Sequence, residues 1–229
     1  MASLTKLKAC FVIFCLSIGI TAYSPIAKWV FTPNNLVDGK IKDLSSNNNE
    51  PFQTSWGSIA ESEVTCKGLY RSRNSGAFDY GIVSAITSST LEYGVSIWMN
   101  LQGGSDANPT PVGMIDSSGY FTYYVKIIYG DPTNYNFWRR GDKIGKTVPI
   151  SPPGKWIFLV FYFVKSLSVW TWTIISPEFS TLILTHTIYP GNEIRIAYHI
   201  IGYYYEIQFF KKASINSPIV TLYDSSDAT

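Results

Sequence analysis

Polar and apolar residues trade places along two stretches of this chain, Thr181-Leu182-Ile183-Leu184-Thr185-His186-Thr187-Ile188 and Glu193-Ile194-Arg195-Ile196-Ala197-Tyr198-His199-Ile200. A period of two gives a strand one face for the core and one for solvent or a ligand. Apolar-aromatic runs recur elsewhere at 27–31, 93–101, 120–129, 156–164, 167–175, 181–189, 193–201 and 203–210. Turn residues separate them: Thr32-Pro33-Asn34-Asn35, Gly103-Gly104, Gly130-Asp131-Pro132, Pro152-Pro153-Gly154, Ser176-Pro177, Pro190-Gly191-Asn192 and Gly202. No stretch after Ala22 sustains a helical period. Many short strands at roughly 8–12-residue spacing predict an all-β sandwich or barrel. The run 156–164 is apolar on both faces, but Lys165, Ser166 and Ser168 end it short of the ~20 residues a membrane span needs. It is expected as a central strand covered on both sides.

The N-terminus is patterned differently. Lys6 and Lys8 precede an apolar run over 9–20, which ends in small residues at Ala22. A basic start, a short apolar stretch and a small residue before the cut make a secretory signal peptide. Residues 1–22 are thus expected as a signal helix, with a retained anchor helix as the alternative. Residues 23–229 are expected as one secreted domain, extracellular or at the cell surface, with no membrane span once the signal is removed. Removing Lys6 and Lys8 from the 18 basic residues leaves 16, against 16 acidic ones. A neutral chain lacks the clustered cations that bind nucleic acid or an anionic bilayer.

Aromatic residues make up 16% of the sequence and charged ones 15%. Such a composition suits a pleated, half-buried surface, and it equally suits a sugar-stacking one. Cys10 and Cys15 leave with the signal, so Cys66 has no internal partner. It is either a buried inert thiol or half of an intermolecular disulfide, and the usual burial of free cysteine favours the former. The one Asn-x-Thr acceptor, Asn108-Pro109-Thr110, is disabled by its proline.

Several segments together resemble a known family. Trp29-Val30-Phe31, then Leu36-Val37-Asp38-Gly39 and Asp43-Leu44-Ser45-Ser46-Asn47-Asn48-Asn49, are similar to the opening of concanavalin A-like (laminin G-like) domains, with their aspartate-led turn. Tyr93-Gly94-Val95-Ser96-Ile97-Trp98 resembles their central strand, and Gly113-Met114-Ile115-Asp116 with 120–128 resembles the following hairpin. Gly154-Lys155-Trp156-Ile157-Phe158-Leu159 and Tyr205-Glu206-Ile207-Gln208-Phe209-Phe210-Lys211-Lys212-Ala213 are similar to two later strands. Tyr205 stands where those domains commonly carry Asp. The resemblance implies a two-sheet antiparallel jelly-roll sandwich over 23–229. It also implies either sugar binding or glycoside hydrolysis, and in some members a calcium site.

Hydrolysis needs two carboxylates flanking the scissile bond, which jelly-roll glucanases place at alternate positions of one strand. Here the nearest approach is Glu61-Ser62-Glu63, in a loop-like context, and a solvated turn is the plainer reading. His186 and His199 fall on expected strands in polar-facing positions, with no metal-ligand spacing around them. No catalytic pair is therefore expected. Trp138-Arg139-Arg140, after Tyr135 and Asn136, places an aromatic face beside two donor forks, the makings of a sugar site. The competing reading is a strand with Trp138 inward and one arginine snorkelling. Trp170 and Trp172 share a strand face and are expected in the core. Asp106, Asn108, Asp116 and Asp142 are loop oxygen donors available to calcium. The expected partner is a glycan or an extracellular protein. The alternative is a structural or assembly protein that self-associates through exposed aromatics, including the Tyr203-Tyr204-Tyr205 triplet, or through Cys66.

Overall fold

Alternation along the strands sorts side chains into two sets, and the computed structural model encloses one set between two antiparallel sheets. It describes residues 25–72, 77–104, 109–128, 131–140, 142–149, 154–176 and 179–211. The expected signal peptide, Asp106 and Asn108 lie outside those residues. In chain order the strands are β1 (Ala27–Val30), β2 (Leu36–Val37), β3 (Lys40–Ile41), β4 (Gln53–Thr54), β5 (Val64–Thr65), β6 (Gly68–Ser72), β7 (Asp79–Ile82), β8 (Glu92–Gly104), β9 (Thr110–Ile115), β10 (Phe121–Ile128), β11 (Asp131–Arg139), β12 (Asp142–Pro149), β13 (Trp156–Ser166), β14 (Val169–Ser176), β15 (Phe179–His186), β16 (Glu193–Tyr198) and β17 (Ile200–Phe210).

The eight-stranded sheet runs β15-β14-β13-β8-β17-β6-β5, with β1 also paired to β17. The seven-stranded sheet runs β12-β11-β10-β9-β16-β7-β4. The chain changes sheet between β6 and β7, again between β7 and β8, and once more between β8 and β9. At its end β16 enters one sheet between β7 and β9, and β17 enters the other between β6 and β8. The expected all-β, two-sheet antiparallel jelly-roll sandwich is what these connections build.

β13 behaves as its composition requires. Ile157, Leu159, Phe161 and Phe163 join the main core, while Phe158, Val160 and Tyr162 form a second buried cluster with Phe210 on the other face of the sheet. Trp170 and Trp172 are core residues, as expected. Tyr204, the middle ring of the tyrosine triplet, is fully buried, and its hydroxyl donates to Pro111 O of the opposite sheet at 3.0 Å. Arg71 and Asp79 also tie the sheets together: Nε and Nη2 of Arg71 donate to the two Asp79 carboxylate oxygens at 2.6 and 2.8 Å.

Asp43 shows why an aspartate leads the opening turn. Its carboxylate accepts from the backbone N–H groups of Lys28, Ser45 and Asn49 and from the Ser45 and Asn49 side chains. Asn47 and Asn49 then donate to Ile26 O, which fastens the turn to β1. Burial pushes the Asp43 carboxyl upward, but the hydrogen bonds from Ser45, Lys28 and Asn49 outweigh it and hold it below its ordinary value.

Several expectations are corrected. The turn anticipated at Gly202 lies at His199, whose φ is +56°, and Gly202 sits inside β17. A Cβ on Gly202 would come within 2.6 Å of Asn100 O, so the glycine answers to close strand approach. The β13–β14 hairpin turns at Leu167-Ser168, two residues into a segment expected as strand. His186 is opposed to Trp170, so it shares the core-facing side of β15 rather than a polar one, and its Nδ1 accepts from Ile188 N–H. Cys66 is exposed, not buried. It occupies the tight turn joining β5 to β6, where Gly68 has a φ of +110° and side chains at the tip point outward.

Candidate functional site

Directly opposed residues of an antiparallel pair share a face of the sheet. The β10–β11 register opposes Tyr123 to Arg139, Tyr124 to Trp138, Val125 to Phe137 and Lys126 to Asn136. Tyr123, Val125, Tyr135 and Phe137 belong to the core. Tyr124, Lys126, Asn136 and Trp138 therefore stand on the outer face of the seven-stranded sheet.

This parity divides the cluster read from the sequence. Trp138 points outward, against the packing alternative. Tyr135 is a core ring, and Asn136 is fully buried despite its outer-face position. Arg139 belongs to the side of Tyr135 and Phe137. Arg140 lies beyond the strand, 5.5 Å from the Tyr120 ring and 3.7 Å from Asp116. The two forks expected beside Trp138 are not assembled there, because consecutive strand residues face opposite ways.

Neighbouring strands supply what the linear motif lacked. Gly113 of β9 is opposed to Tyr124 on one side and to Arg195 on the other. A Cβ at Gly113 would lie 2.6 Å from both Phe121 Cδ1 and Tyr124 Cβ, so only glycine leaves room for these residues. A row of half-buried rings results. Trp138 stacks on Tyr124 at 6.2 Å and 24°, Tyr124 meets Phe121 at 5.2 Å, and Phe121 meets Tyr198 at 6.4 Å.

Cations border these aromatics. The Lys126 ammonium lies 4.8 Å from the Trp138 ring centroid, and the Arg195 guanidinium lies 4.1 Å from that of Phe78. Arg195 is also ion-paired with Glu193. Two polar atoms beside Lys126, Asn136 Oδ1 and Trp138 Nε1, are buried without a hydrogen-bond partner.

Of the oxygen donors considered for calcium, Asp106 and Asn108 lie outside the described residues. Asp116 accepts from the N–H groups of Ser118 and Tyr120, which closes the β9–β10 turn. Asp142 begins β12. Among the described residues no group of three His, Cys, Asp or Glu side chains is placed to hold a metal ion. Glu61 and Glu63 form a short 3-10 turn, where Glu63 accepts from Ala60 N–H and pairs with Arg71 at 2.5 Å.

No family model matches the chain, and no curated protein matches it in sequence. Solved structures do match in fold. The binding domain of botulinum neurotoxin DC, solved with rat synaptotagmin II, is 12% identical with a TM-score of 0.56, and the match covers 88% of this chain and 51% of that one. A structure of botulinum neurotoxin type C, whose cell entry depends on two ganglioside molecules, gives 13% and 0.56 over the same shares. Trypanosoma rangeli sialidase in complex with sialic acid gives 9% and 0.63, covering 91% of this chain and 34% of that one. The chain thus spans about half the length of the toxin chains and about a third of the sialidase. At these identities the likeness is one of fold.

Proposed function

We propose that this protein is a secreted, non-catalytic carbohydrate-binding domain of the concanavalin A-like type. Sugar binds on the outer face of the seven-stranded sheet, around Trp138 and Tyr124. The row of rings from Trp138 to Tyr198 carries this reading. Half-buried aromatics on a sheet give a sugar's apolar face a flat partner, and polar groups at the edge select its hydroxyls. The turn before β10 and the cations between the rings supply those edge groups. Two of the fold neighbours engage glycans, ganglioside in one and sialic acid in the other, which supports the reading.

Trp138→Ala is expected to weaken glycan binding by about 30-fold, the effect of truncating an aromatic anchor worth about 2 kcal/mol. The measurement is retention on a glycan array, with and without calcium, followed by calorimetry on the best ligand. An array that retains nothing, or a variant that binds like the parent, overturns the assignment. Release of reducing sugar would overturn its non-catalytic part.

A second reading, an extracellular assembly protein, is favoured by one observation: Cys66 is exposed at the tip of a hairpin. On that reading the oxidised protein migrates as a dimer in a non-reducing gel. Reductant or Cys66→Ser collapses it to monomer.

A further inference from the structure

Three cations on or beside the outer face of the seven-stranded sheet lie against aromatic rings, and they differ in how their charge is met. Arg195 is held by Glu193, and Arg140 by Asp116. Lys126 has no carboxylate within ion-pair distance among the described residues. Its ammonium lies 4.8 Å from the Trp138 ring centroid, and its strand partner Asn136 is a fully buried amide. Burial pushes Lys126 below its ordinary value, with no acid opposing the shift.

A cation–π contact compensates an ammonium only in part, whereas a charge-assisted hydrogen bond is roughly twice as strong as a neutral one. The adjoining atoms repeat the pattern, since Trp138 Nε1 is a buried donor with no acceptor and Asn136 Oδ1 a buried acceptor with no donor. Such atoms cost free energy unless something satisfies them. Ligand oxygens laid beside the partly exposed Trp138 ring would come within reach of the Lys126 ammonium. The lysine stem is long enough to swing its ammonium off the ring toward a bound group.

We propose that the site around Trp138 selects glycans bearing an anionic group, carboxylate or sulfate, and that Lys126 is the residue that reads the charge. This rests on the carbohydrate-binding assignment and deepens it. The aromatic row accepts the sugar ring whatever its charge, and Lys126 adds a preference that depends on charge and is weakened by salt.

The test is a glycan array printed in matched pairs of one skeleton, sialylated against desialylated and sulfated against unsulfated, probed with the parent and with Lys126→Met. The parent is expected to retain charged members at least tenfold more strongly than their neutral partners at low salt, and Lys126→Met to bring that ratio close to one. A near-ultraviolet dichroism spectrum matching the parent's verifies that the variant keeps its aromatic packing. Comparison of the sialylated and sulfated sets identifies which anion is read. Equal retention within pairs, or a charge preference that survives Lys126→Met, overturns this inference and leaves the carbohydrate assignment standing. Retention of no glycan overturns both.

Discussion

Asp79→Ala is expected to destabilise the fold by about 3–5 kcal/mol, the usual cost of leaving one member of a buried ion pair alone. Arg71 and Asp79 have fully buried side chains and meet through two hydrogen bonds between the sheets. Burial works to push the Arg71 guanidinium down, and the Asp79 and Glu63 carboxylates more than offset it. An arginine cannot shed its proton to escape the interior. Without Asp79, Glu63 is the carboxylate left to Arg71 among the described residues, itself about one-third exposed. Urea unfolding should show the midpoint falling with little change in slope. The double variant Arg71→Met/Asp79→Leu supplies the contrast: apolar replacement of a whole buried pair is often neutral or stabilising, so it should recover most of the loss. A single variant as stable as the parent would show that the pair is not closed in solution.

Trp172→Ala should cost a comparable amount, about 3–5 kcal/mol, and should disturb the candidate site as well. Trp172 is fully buried on β14, and four rings pack around it: Tyr123 at 5.0 Å, Phe161 at 5.6 Å, Phe137 at 6.0 Å and Phe163 at 6.2 Å. Tyr123 and Phe137 belong to the opposite sheet and are the chain neighbours of Tyr124 and Trp138. Removing the indole opens a cavity directly beneath the strands that display the ring row. Thermal unfolding should report the loss of stability, and glycan retention at low temperature should report the loosened platform. Because domains of this kind hold only about 5–15 kcal/mol in total, the variant should also be sensitive to protease near physiological temperature. Trp172→Phe keeps most of the volume and should recover the larger part of both properties. Wild-type stability in Trp172→Ala would mean that the core closes over the gap.

Much of the fold was legible in the chain because burial acts on alternate residues. The doubly apolar run of β13, the paired tryptophans of β14 and the aspartate-led turn at Asp43 each appear in the structure as anticipated. Other local readings missed for identifiable reasons. Gly202 looked like a turn, but its missing side chain serves close approach to Asn100 inside a strand. Cys66 looked like a core thiol from its residue type, yet its place at a hairpin tip decides its exposure. Tyr135, Asn136, Trp138, Arg139 and Arg140 looked like one site because they are adjacent in sequence. A strand sends adjacent residues to opposite faces, so only Trp138 of the five presents a partly exposed ring on the outer face.

What the sequence determined by itself is the class of molecule: short alternating strands between turns, and enough aromatic residues for two covered sheet faces. Those are properties of composition and period, and neighbours along the chain enforce them. Which rings lie side by side was decided only by the tertiary structure. Trp138, Tyr124, Phe121 and Tyr198 come from three strands, and they meet because β9 carries a glycine between β10 and β16. The pairing of those strands, and the setting of Lys126 against Trp138, depend on a register between segments distant in sequence, which no local pattern encodes.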